Sequence, residues 1–184
     1  MDSDISIGFF DLRRRLDKAG VFHRVGSLRD EAVLIEVRLP TSFWEIEFHS
    51  DGTAEYEVFK STGAVLDAGG FLELVVRYAD RPVPQPSLDR QLGELNVMRL
   101  LREAGIYFCA DEMLMRKIMV DGAVMIEVAV PGERWEIDVL PGGEIEVGRF
   151  RAEDGVHTFD AEVLRELLAS AGRAAPNWRK GLRR

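Results

Sequence analysis

Apart from Leu34, apolar and polar residues alternate along residues 33–39. Val33, Ile35, Val37 and Leu39 point one way, and Leu34, Glu36 and Arg38 the other. A period of two over this length predicts a strand with one face on a core. A second such segment sets Trp44, Ile46 and Phe48 against Glu45 and Glu47. After the turn signal Asp51-Gly52, a third sets Ala54, Tyr56 and Val58 against Glu55 and Glu57. One greasy face and one wet face on successive strands predict antiparallel sheet. The same triplet returns 91 residues on. Val124, Ile126 and Val128 are followed by Pro131-Gly132, which suits the centre of a turn; then come Trp135, Ile137 and Val139, and finally Ile145 and Val147 against Glu144 and Glu146.

Helical periodicity flanks both triplets. Ile5, Phe9, Leu12 and Leu16 form one apolar stripe that Gly20 stops. Leu88, Leu92, Leu95, Met98 and Leu101 form another, with Ser87 as its N-cap and Ala104-Gly105 as its stop. Each triplet is followed by a helix signal with an aspartate N-cap, Asp67 or Asp160. Leu66 with Phe71 and Phe159 with Leu164 stand at the positions of a hydrophobic staple. Over residues 33–59 and 124–150, 11 of 27 positions are identical, where about two would match by chance. The reading is therefore an α+β chain: a tandem duplication of an α-β-β-β-α unit, with antiparallel sheets and helices on one face. Residues 1–80 form the first repeat, 81–87 a stiff Pro-rich linker, 88–172 the second repeat and 173–184 a basic tail. The second repeat carries six extra residues within 109–122. There Asp121-Gly122 predicts a hairpin, and Met113, Met115 and Met119 offer either core filling or an adaptable contact surface.

Composition narrows the function classes. Of 184 residues, 46% are hydrophobic and 30% charged, which is ordinary for a globular chain. No apolar run is long enough for a membrane span, and the acidic start differs from a secretory signal. One cysteine, Cys109, leaves no internal disulfide to form and fits a cytoplasmic location. The net charge of -8 divides into +5 on residues 173–184 and -13 on the rest. An acidic body disfavours nucleic acid and anionic membrane and steers toward basic partners.

No reaction chemistry stands out. His23, His49 and His157 are isolated in sequence, none is repeated in the other half, and no pair has metal-ligand spacing. Gly69-Gly70 and Gly142-Gly143 are turn or helix-start glycines, not phosphate loops. The expectation is no catalytic residue, no metal and no cofactor. Carboxylates are the candidate constellation instead: Glu36, Glu45, Glu47, Glu55 and Glu57 on the wet face of the first sheet, and Glu127, Glu136, Asp138, Glu144 and Glu146 on that of the second. A solvated face that keeps sheet edges apart is the plain explanation. Like charges on neighbouring strands repel, however, and a basic protein would relieve that cost. Phe59 and Phe150 share phase with the acids and are expected as apolar anchors within the patch. Trp44 and Trp135 share phase with the core.

The string Val130-Pro131-Gly132-Glu133-Arg134-Trp135-Glu136-Ile137-Asp138, with Gly143-Glu144-Ile145-Glu146-Val147 after it, resembles a group of small bacterial proteins. They share a VPGERWE core and a closing helix, and some look like immunity proteins that neutralise secreted or contact-delivered toxins. The likeness covers most of the second half. The first half keeps only Pro40 and Trp44-Glu45-Ile46-Glu47 and lacks the Gly-Glu-Arg turn. The resemblance implies a scaffold for binding a protein, such as a toxin with a basic surface, and not a reaction. Two other classes remain open: a cytosolic chaperone or adaptor for a secreted protein, and an enzyme with an unrecognised site.

Overall fold

A computed structural model describes residues 7–29, 32–80, 94–109 and 124–181. The Pro-rich linker, the Ser87 cap, Ile5, the methionines of the insertion and its Asp121-Gly122 hairpin lie outside the described residues, as do the charged side chains of the tail. The chain is α+β with antiparallel strands. Its elements are α1 (Phe9–Ala19), β1 (His23–Arg29), β2 (Ala32–Leu39), β3 (Ser42–His49), β4 (Ala54–Leu66), α2 (Ala68–Tyr78), α3 (Glu94–Glu103), β5 (Phe108–Cys109), β6 (Val124–Val130), β7 (Glu133–Val139), β8 (Ile145–Ala152), β9 (His157–Thr158) and α4 (Ala161–Gly181).

Two compact units are present, and they are not the two consecutive halves. Unit 1 joins Met1–Lys60 to Ala152–Arg184, and unit 2 is Ser61–Arg151. In unit 1 the antiparallel ladder runs β1-β2-β3-β4, with β9 paired to the start of β4. Unit 2 carries the ladder β5-β6-β7-β8. The six strands expected from alternation are all present, and β1, β5 and β9 are additions.

Each ladder buries most of the face that alternation assigned to the core; Val33 is the exception and is exposed, while Leu34, assigned to the other face, is buried. In unit 1, Ile35, Val37, Trp44 and Ile46 pack with Leu12 and Leu16 of α1, with Phe159 just before α4, and with Leu164 and Leu167 of α4. In unit 2, Ile126, Val128, Trp135, Ile137 and Val147 pack with Phe71, Leu74 and Val75 of α2 and with Leu100 and Leu101 of α3. The helix that follows the first strand triplet thus joins the second core, and the helix that follows the second triplet joins the first. The sequence reading had each helix closing its own half. The route into unit 2 is β4, whose ladder with β3 ends at Lys60. The strand itself runs on to Leu66, 13 residues in all and roughly 40 Å at the usual rise, and so carries the chain into unit 2 before α2 begins.

Helix ends follow local chemistry. Asp67 accepts from the Gly70 amide at 3.0 Å, and Asp160 from the Glu162 and Val163 amides at 2.8 and 2.9 Å, so both expected N-caps form. The stop after α3 falls at Gly105, whose φ of 73° is left-handed. A Cβ there would also overlap the Asp80 carboxylate, while the Asp80 amide donates to Ala104 at 2.9 Å.

Candidate protein-binding faces

Strand register turns the sequence list of acids into rows. Across unit 1, Arg24, Glu36, Glu45 and Glu57 stand directly opposite one another on β1 to β4, and Glu47 faces Glu55 in the next row on that side. In unit 2, Glu127 faces Glu136, and Asp138 faces Glu146. Glu144 sits in the turn before β8, where its carbonyl accepts from Leu140 at 2.8 Å. Nine of the ten carboxylates therefore lie on the strands assigned to them, and Glu144, expected on the third strand of the second triplet, falls just before it. Directly opposed like charges cost a few tenths of a kcal/mol or more per pair.

Exposure within these rows is uneven. Glu55, Glu144 and Glu146 are exposed, whereas Glu36, Glu45, Glu47, Glu57, Glu127, Glu136 and Asp138 are half-buried. Arg24 donates from Nε to the Glu36 carboxylate, answering the first charge of its row. The His49 Nε2 lies 3.5 Å from Glu55, close enough to pair when the ring is protonated. The two phenylalanines depart from expectation. Phe59 is fully buried and Phe150 is 4% exposed, so neither is an accessible anchor as the chain stands. Phase placed them on the correct face, but burial depends on what covers that face. In unit 1, Phe59 stands opposite Phe43, and the two rings meet edge-to-face at 6.4 Å between centroids.

Trp44 and Trp135 are buried core residues, as their phase indicated. Trp44 Nε1 donates to Ser42 Oγ, and Trp135 Nε1 to Glu133 Oε2, both at 3.1 Å. Glu133 is the feature that sequence reasoning missed. It is buried on the core side of β7, and Arg149 of β8 grips it through both Nε, at 2.8 Å, and Nη2. Arg151 Nε adds a 3.4 Å contact, and the Tyr78 hydroxyl of α2 lies within hydrogen-bonding reach of both Glu133 and Arg149. Burial pushes the Glu133 carboxyl up. The hydrogen bonds from Arg149, Trp135 and Tyr78 and the Arg149 charge outweigh it and hold the group below its ordinary value. The same pair keeps Arg149 firmly protonated. A signal for this cluster existed: Glu133 shares phase with Trp135 and Ile137, and Arg149 with Val147, so an acid and a base occupy core positions on adjacent strands.

The other two histidines have local neighbours. His23 sits by the Val21 carbonyl at 3.1 Å, and His157 lies against the Tyr56 ring at 5.7 Å. Among the described residues, no group of three or more His, Cys, Asp or Glu side chains is arranged to hold a metal ion, and no helix is long and apolar enough to cross a membrane. Comparison with protein-family models, with curated proteins and with solved structures finds no match to this chain.

Proposed function

We propose that this chain is a non-catalytic protein-binding module for a basic partner, of the kind an immunity protein would use to mask a toxin. The observation that carries the reading is the register: it sets five directly opposed carboxylate pairs on the faces of two ladders that lie opposite the tryptophan cores, without a lysine between the acids of a row. Selection for stability alone would interleave the charges. An acidic inhibitor competes electrostatically for the basic cleft of an enzyme that acts on nucleic acid, gaining association rate and selectivity together. The exposed acids Glu55, Glu144 and Glu146 would make first contact, and the half-buried rows behind them would supply the field.

The test is co-purification with the product of the adjoining reading frame, comparing the native chain with the triple variant E55Q/E144Q/E146Q. The expected result is a complex with the native chain and at least about tenfold weaker association by the variant. A complex indifferent to the three substitutions would point to apolar, adaptor-type binding instead. Failure to form a complex would count against the immunity reading.

A further inference from the structure

We infer that a polar lock sorts the two closing helices between two nearly equivalent sheets: Tyr78 of α2 engages Glu133 and Arg149 in unit 2, while the small Ala171 of α4 fits the tyrosine-filled core of unit 1. The helices need sorting because they are so alike. Both begin at an aspartate N-cap that accepts from the amide three residues on, at Gly70 and Val163. Counting 93 residues from α2 to α4, Phe71 matches Leu164 and Leu74 matches Leu167, and all four are buried. The sheets are equally alike, since the tryptophan, isoleucine and valine positions of their inner faces repeat at a spacing of 91. Apolar packing by itself would let either helix close either sheet.

Four matched positions break this equivalence. On the sheets, Ser42, Tyr56 and Val58 in unit 1 correspond to Glu133, Val147 and Arg149 in unit 2. On the helices, Tyr78 of α2 corresponds to Ala171 of α4. Each tryptophan consequently receives one tyrosine, from a different source. Trp44 stacks on Tyr56 of its own sheet, with centroids 5.5 Å apart and planes 16° from parallel. Trp135 takes Tyr78 from its helix, edge-on at 5.4 Å and 65°. The Tyr78 hydroxyl is the part that reaches the Glu133–Arg149 pair.

Mis-sorting is penalised on both sides. With α4 on unit 2, an alanine would stand where Tyr78 belongs, leaving a void beside Trp135 and a buried ion pair short of one partner. With α2 on unit 1, a second tyrosine would meet a tryptophan already stacked by Tyr56, and its hydroxyl would face Val58. A buried polar group that specifies arrangement more than it adds stability is an attested use of such pairs.

Coupling measured by urea unfolding of the full chain tests the lock. Tyr78→Phe removes only the hydroxyl and should lower the folding equilibrium constant about fivefold. In a chain carrying E133S and R149V, which gives unit 2 the residues of unit 1, the same change should cost less than about twofold; beside S42A it should still cost about fivefold. Independently, Ala171→Tyr should cost about tenfold or more, largely relieved by Y56V and not by V147A. The inference is overturned if Tyr78→Phe is additive with E133S/R149V, or if the Ala171→Tyr loss is relieved by V147A in place of Y56V. Should the Ala171→Tyr chain fail to fold, the Ala171→Tyr/Y56V chain must fold; a double variant that stays unfolded equally overturns it.

Discussion

Replacing Glu133 by glutamine isolates the energetics of the buried pair. Glu133 is 6% exposed, and its two oxygens serve Arg149, Arg151 and the Trp135 indole. The substitution leaves a guanidinium that is itself largely buried without its counter-charge. Breaking a buried ion pair from one side costs about 3–5 kcal/mol. Glutamine keeps one oxygen as an acceptor for the indole or for Arg149, which returns about 1 kcal/mol. The expected loss is therefore about 2–4 kcal/mol, a factor of roughly 30–900 in the folding equilibrium. Exchanging both residues, E133S with R149V, removes both charges together and should stay within about 1 kcal/mol of the native chain. Urea unfolding at pH 7 measures both quantities. The pH dependence adds a second signature. The folded carboxyl titrates below its unfolded value, so its contribution is complete above the unfolded range and disappears as pH falls through the folded value. The native chain should lose stability on acidification, and the E133Q chain should lose less. An E133Q loss under 0.5 kcal/mol, or a double variant as unstable as the single one, would refute the reasoning.

Other expectations are simpler. Gly105→Ala places a side chain at a left-handed φ, while the exposed Asp80 carboxylate it meets can swing aside, and should cost about 1–2 kcal/mol in thermal or urea unfolding. Asp160→Ala removes two amide acceptances at the start of α4 and should cost about 1 kcal/mol. Leu167→Ala, at a fully buried position, should cost about 2–4 kcal/mol. It should also raise amide hydrogen exchange in β2 and β3, the strands of the core that α4 joins, more than in β6 and β7.

The strands were legible because alternation is a local signal: β2, β3, β4, β6 and β7 each carry three or more in-phase apolar residues, and β8 carries Ile145 and Val147, beside turn signals. β1 was not, since His23-Arg24-Val25-Gly26 has one apolar residue in four and is strand only because β2 offers it a ladder. Helix destination was illegible for a different reason. The stripe of Phe71 and Leu74 and that of Leu164 and Leu167 would suit either sheet, and the information that separates them sits in Tyr78, Glu133 and Arg149, whose meaning appears only in space. The acidic rows were readable from phase, whereas the burial of Phe59 and Phe150 was not, because periodicity names a face without saying what lies over it.

The ionic-strength dependence of partner association bears most directly on the claim that the carboxylate rows are kept for a basic protein. For the complex with the adjoining gene product, stopped-flow association rates between 0.05 and 0.5 M salt should fall about tenfold or more, while dissociation changes little. A rate that is flat across that range would contradict the account, since exposed and half-buried acids that steer a partner must lose that steering when salt screens them.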